Sequence, residues 1–100
     1  MSKHNVIIVA DYTQDVWYTL DELSEMTGLS KAMILELIAH DVIQAEKQRV
    51  HALQLQRLRK ISRLHQDLDI NLAGLVLAMN LMDELAALRE RLQFMDKHLL

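Results

Sequence analysis

Five histidines, His4, His40, His51, His65 and His98, are the side chains best suited to metal binding or proton transfer in this chain. A helical zinc site needs two of them four residues apart, as in H-x-x-x-H, so that both rings leave one face. No pair has that spacing. Asp83 and Glu84 are adjacent carboxylates, but neighbours on a helix point about 100° apart, poor geometry for sharing a proton. No glycine loop able to cradle a phosphate is present, and no Ser–His–Asp arrangement stands out. Met26, Met33, Met79, Met82 and Met95 read as adaptable core or interface residues rather than as ligands. The absence of cysteine excludes disulfides and thiolate metal sites. The expectation is a non-enzyme, with no catalytic, cofactor-binding or metal site.

What remains is surface chemistry, and residues 19–40 concentrate it. Thr19 and Glu22 form an S/T-x-x-E capping box that starts a helix near Leu20, and Gly28 supplies the left-handed residue that ends it. Ser30 caps a second helix, with Leu29 and Ile34 placed as a hydrophobic staple. Met33, Ile34, Leu37 and Ile38 make one apolar stripe on that helix, which turns Ala32, Leu35, Glu36 and Ala39 outward. Two short helices joined this way have the form of a helix-turn-helix. A helix that reads the major groove needs Arg, Asn or Gln on its outer face, with cations nearby for phosphates. This one is apolar and acidic, which predicts a protein-binding surface.

The charge distribution points the same way. The net charge of −3 hides a segregation. Residues 1–45 carry two cations, Lys3 and Lys31, against seven carboxylates; residues 46–68 carry six cations against two; residues 69–100 carry three against five. Nucleic-acid affinity is dominated by phosphate neutralisation, so the acidic segment repels DNA and suits a basic protein partner. The basic run Arg57, Arg59, Lys60 and Arg63 reads either as a solvated helix face or as a patch for nucleic acid or an acidic partner.

The elements that must hold these surfaces are mostly helical. Half of the 100 residues are apolar, only two are glycine and none is proline, composition that fits one small domain with or without a helical extension. Asn5–Val9 is β-branched and reads as a short strand. Trp17 and Tyr18 read as the hydrophobic lead-in to the first helix. A second short strand is expected near Val42–Ala45, able to pair with the first, in a brief wing ending near Val50. A long helix follows from about Ala52 to Leu68, with Leu53, Leu58 (or Arg57), Ile61, Leu64, His65 and Leu68 near one stripe. Asp69 and Asn71 restart the chain as a helix from Leu72. There Leu81, Leu85, Leu88, Leu92, Met95 and Leu99 are spaced 4, 3, 4, 3, 4, an a/d seam. A lone helix with such a stripe is unstable in water, so it either packs back on the domain or pairs with a second chain; pairing is the expectation. The chain thus divides into a helix-turn-helix region with short strands over 1–50 and a helical region over 51–100, its C-terminal part a dimerisation helix. The apolar stretch at 5–10 is too short for a secretory signal, and no run approaches the roughly 18 apolar residues that span a bilayer, so a cytoplasmic location is expected.

Residues 18–34, YTLDELSEMTGLSKAMI, resemble the opening of the MerR-type winged helix-turn-helix. In that family Arg and Tyr side chains of the recognition helix fall at positions that are here about Ala32, Leu35, Glu36 and Leu37, and the proline of the wing entry is missing. Residues 67–92 resemble the hallmark region of the chaperone-modulator family CbpM, in which R-L-x-x-D-L leads into I-N-x-x-G-x-x-L-x-L-x-L-L-D-E. The matching residues are Arg63, Leu64, Asp67, Leu68, Ile70, Asn71, Gly74, Leu77, Met79, Leu81, Met82, Asp83 and Glu84. Together the two resemblances cover roughly residues 18–95.

The resemblance implies a mainly α fold: a MerR-like winged helix-turn-helix with a short N-terminal strand and a long, coiled-coil-like C-terminal helix. It also implies a task, binding the J-domain of a CbpA-type (DnaJ-like) co-chaperone and restraining its stimulation of DnaK. J-domains present a basic helix, which an acidic and partly apolar face could cover. Asp21, Glu22, Glu25, Glu36 and Asp41, with Leu35 and Ala39 as apolar contacts, are the candidates for that face. Leu81, Leu85, Leu88, Leu92, Met95 and Leu99 are the candidates for homodimerisation. Two rival readings stand beside this one. The first is a MerR-like DNA-binding regulator gripping phosphates with the 57–63 helix; the second is a protein that traps a transcription factor through the 81–99 seam.

Overall fold

The computed structural model describes residues 16–99, the last of them by its backbone alone. Seven elements follow in order: strand β1 (Trp17–Thr19), helices α1 (Leu20–Thr27) and α2 (Lys31–Ala39), strand β2 (Arg49–His51), a 3-10 turn (Ala52–Gln54), and helices α3 (Leu55–Leu68) and α4 (Leu72–Leu99). The mainly helical, MerR-like architecture read from the sequence is the one observed.

The capping signals act as written. Thr19 Oγ1 accepts from the Glu22 amide at 3.2 Å, and Glu22 Oε1 accepts from the Thr19 amide at 3.0 Å, so two donors that α1 leaves unpaired are satisfied reciprocally. Gly28 ends the helix at φ 77°, donating to the Ser24 carbonyl at 2.9 Å. Ser30 Oγ accepts from the Met33 amide at 3.1 Å, and both staple residues, Leu29 and Ile34, are buried.

The wing differs from expectation. The strand expected near Val42–Ala45 is not formed. Val42 and Ile43 are buried instead, and both their amides donate to the Leu37 carbonyl at the end of α2, which removes them from any ladder. The strand comes later, at Arg49–His51, and pairs antiparallel with β1 in the register Trp17↔His51, Tyr18↔Val50, Thr19↔Arg49. A tight turn leads into it: Glu46 and Arg49 exchange two 2.9 Å backbone bonds, with Lys47 at φ 50° and Gln48 at φ 61° between them. Positive φ at both central residues is what a type I′ turn demands, usually of Asn or Gly. The expected strand Asn5–Val9 lies outside the described residues.

Both halves of the chain supply one core. Leu23, Ile34 and Leu37 of the helix-turn-helix meet Val50, Leu58 and Ile61, then Leu75 and Met79 from the first turns of α4. Among the described residues, the two buried polar side chains are bonded: Thr27 Oγ1 donates to the Leu23 carbonyl at 2.7 Å, and Ser62 Oγ donates to the Thr27 carbonyl, tying α3 to α1. Leu53 and Leu68, placed on the α3 stripe by their spacing, are instead 67% and 63% exposed. Leu53 sits in the 3-10 turn, where the 3.6-residue period does not hold, and Leu68 closes the helix where the chain turns away.

Gly28 cannot be replaced without strain. A side chain at φ 77° costs about 1–2 kcal/mol, and a Cβ there would also stand 2.9 Å from Gln66 Nε2. Gly28→Ala should therefore lower stability by about 1–2 kcal/mol, read as a lower denaturant midpoint with an unchanged slope. An unchanged midpoint would show that the turn does not need its left-handed residue.

Candidate functional site

The buried residues of α1, Leu20, Leu23 and Thr27, occupy one side, which leaves Asp21, Glu22 and Glu25 on the opposite, exposed side. Ile34 and Leu37 do the same for α2, and Ala32, Leu35, Glu36 and Ala39 are all exposed. Leu35 is 45% exposed, and Met26 of α1 is 39% exposed. Asp41 follows α2 in a left-handed turn at φ 59°, also exposed. All seven candidate residues of the acidic face thus reach solvent.

They are not equivalent, however. Glu22 is committed to the capping box, and its bonds from the Thr19 backbone and side chain hold its carboxyl below the usual range. Asp21 pairs with Lys31 at 2.9 Å, linking the starts of α1 and α2. That bridge is exposed and contributes about 0–1 kcal/mol. Glu36 lies 3.9 Å from His40 one turn on, a pair that is ionic when the imidazole is protonated. Glu25 and Asp41 carry the remaining acidic charge. The outward face of α2 carries one cation, Lys31 at its first residue, which is paired with Asp21, and it has no arginine or amide side chain to serve as a base-edge donor.

The basic run on α3 is divided by the fold. Arg57 turns away from solvent: its Nε donates to the Val42 carbonyl at 2.7 Å, and its two terminal nitrogens donate to Asp83 Oδ1 and Oδ2 at 2.9 and 2.8 Å. This bidentate pair holds the Asp83 carboxyl below its ordinary value and pushes the guanidinium up. Arg59, Lys60 and Arg63 stay exposed. Lys60 and Arg63 edge a depression of about 390 Å³ between α3 and α4 that is floored by Leu64, Leu68 and Met82. Sequence reading missed the Arg57–Asp83 link, because nothing in a linear chain marks two residues 26 apart as partners.

Beyond Asp83 the fourth helix leaves the domain. Every described side chain from residue 80 to 98 is exposed, and Leu81, Leu85, Leu88, Leu92 and Met95 are 48–62% accessible. The seam therefore does not pack back on its own domain. Leu99 continues the helix, but its side chain lies outside the described residues. Among the described residues no group of three or more His, Asp or Glu side chains could hold a metal ion, and no helix is long and apolar enough to cross a membrane.

Two comparisons bear on this arrangement. The family model described as MerR HTH family regulatory protein matches residues 18–97. Proteins named chaperone modulatory protein CbpM, from Coxiella burnetii strains Dugway 5J108-111 and RSA 331 / Henzerling II, are each 28% identical over 83 residues, covering 78% of this chain and 78% of theirs. The resemblances read from residues 18–34 and 67–92 are both borne out. No solved structure matches the chain.

Glu22 and Asp83 each add a small acid-sensitive contribution to the fold. Each carboxyl is held below its unfolded value, so each contributes stability above the ordinary carboxylate range and loses it as pH falls through the depressed folded value. The melting temperature should fall on acidification through that range, and Asp83→Asn should flatten the fall in thermal melts from neutral pH downward. Identical acid profiles for the variant and the parent protein would remove Asp83 from this role.

Proposed function

The chain belongs to the MerR helix-turn-helix family, and from that premise we propose that it turns the fold from reading DNA to binding a protein. In this reading it is a non-enzymatic chaperone modulator. It covers the basic helix of the J-domain of a CbpA-type co-chaperone with the outward face of its helix-turn-helix, and so restrains the co-chaperone's stimulation of DnaK. Two copies act together as a homodimer through the α4 seam, in the cytoplasm.

The observation that carries the reading is the outer face of α2. Ala32, Leu35, Glu36 and Ala39 stand where a recognition helix would present its base-reading side chains, and they are apolar or acidic and exposed. The likeness to proteins named chaperone modulators supplies the partner class. Glu25, Glu36 and Asp41 provide long-range attraction to a basic helix, and Leu35 with Ala39 provides contact area. Acidic steering of this kind raises association rate and specificity more than it raises affinity. The DNA-binding alternative retains Arg59, Lys60 and Arg63 but loses Arg57 to Asp83 and Val42.

Calorimetric titration with a purified CbpA-type J-domain, at low and physiological salt, tests the proposal. Saturable binding that weakens as salt rises is the expected result. Glu36→Lys should weaken it about tenfold, equivalent to about 1.4 kcal/mol. Unchanged affinity in that variant would move the binding face elsewhere. No binding at either salt, with tight and steeply salt-dependent binding to duplex DNA, would favour the regulator reading instead.

A further inference from the structure

We infer that the outer face of the β1–β2 ribbon is a second docking surface, and that its occupant is an acidic segment of a protein partner. It is opposite in charge to the helix face, and it stands or falls independently of the J-domain reading. The register sets its composition. Trp17 faces His51 and Thr19 faces Arg49, so the two-residue period puts all four side chains on one side of the ribbon. Tyr18 and Val50 point the other way, Val50 fully into the core.

Trp17, the sole tryptophan of the chain, is 40% exposed on that side. It is held there rather than left loose. Its ring meets His51 edge-on, centroids 4.9 Å apart at 88°, and His51 Nδ1 accepts from the Leu53 amide at 3.1 Å. A cleft of about 540 Å³ opens beside the indole, lined among the described residues by Trp17, Glu46, Lys47 and Arg49. Lys47 and Arg49 have no ion-pair partner among the described residues, whereas Lys31 and Arg57 do. Glu22, whose carboxyl feels the Arg49 charge, is committed to the Thr19 cap. Lys47 and Gln48 both hold positive φ, a conformation that Asn–Gly would adopt with less strain. A strained tip that keeps a cation marks a surface built for contact rather than for stability.

Charge and shape name the occupant. Tryptophan and arginine are among the side chains that most often anchor protein–protein contacts, and the two cations add attraction for carboxylates. A nucleic-acid strand needs many phosphates neutralised. Here two cations sit beside Glu46, and Asp21 and Glu22 begin the helix that follows β1 directly. A small-molecule site encloses its ligand within mostly apolar walls, whereas three of the four residues around this open cleft are charged. An acidic segment that lays an apolar or aromatic side chain on Trp17 and sets carboxylates against Lys47 and Arg49 satisfies the indole and both cations.

All indole emission of the intact chain comes from this face, so fluorescence reads the site directly. The probe is a capped synthetic heptapeptide alternating glutamate with valine, its central residue phenylalanine. Its controls are the same peptide with lysine for glutamate, and oligothymidylate. The expected result is a saturable blue shift of Trp17 emission that weakens as salt rises, with no response to the lysine peptide. Charge reversal of the pair, Lys47→Glu with Arg49→Glu, should weaken the acidic peptide about tenfold. A response to both peptides alike, or to neither, overturns the inference. A steeply salt-dependent response to oligothymidylate instead makes the face a nucleic-acid site and overturns it too. An indole already shielded from acrylamide in the free protein would mean that the chain covers the cleft itself, which overturns it equally. Lys47→Gly separates contact from architecture: it should raise the melting temperature, since glycine takes positive φ freely, yet weaken the acidic peptide. Undiminished peptide binding by that variant contradicts the role of the tip.

Discussion

The arrangement depends on one side chain. Arg57 reaches from α3 to two places at once, the Val42 carbonyl after α2 and the Asp83 carboxylate on α4. The carbonyl bond ties α3 to the buried bend after α2, and the carboxylate marks the last point at which α4 touches the domain. A bidentate guanidinium–carboxylate pair defines direction as well as distance. The link thus sets the angle at which some sixteen residues of helix, about 24 Å, leave the body. Its half-exposed setting makes it a small contributor to stability but a strict one to geometry.

Around that link the α3–α4 joint is built from short-range devices. Asp69 ends α3 in the left-handed region at φ 51°, and His65 Nδ1 donates to the Ile70 carbonyl at 2.8 Å. Asn71 Oδ1 accepts from the Gly74 amide at 2.9 Å and starts α4. Gly74 has no room for a side chain, since a Cβ would stand 2.6 Å from Ile70 Cγ2. The I-N-x-x-G segment and the Asp83 of the resemblance are therefore parts of the α3–α4 joint. Their observed contacts are architectural ones.

Local signals were legible in the sequence and distant ones were not. Thr19, Glu22, Gly28 and Ser30 fixed both short helices, because capping is settled within four residues. The stripes on α2 and the seam on α4 were legible because helical periodicity needs no knowledge of neighbours. The wing was misread: Val42 and Ile43 are β-branched and apolar, which fits a buried bend as well as a strand. Lys47 and Gln48 gave no turn signal because neither is the Asn or Gly that a type I′ turn normally takes. For the candidate face, spacing identified which residues point outward. It did not separate Glu22, held by its cap, from Glu25, because that distinction lies in hydrogen bonds rather than in charge.

The central claim is that the outward face of the helix-turn-helix is the partner-binding surface. Backbone amide chemical shifts of this protein, followed while an unlabelled CbpA-type J-domain is added, test it most directly. The account predicts that the largest changes fall on Glu25, Leu35, Glu36, Ala39 and Asp41. Changes confined to the basic side of α3 or to the seam of α4, with α1 and α2 silent, would contradict it.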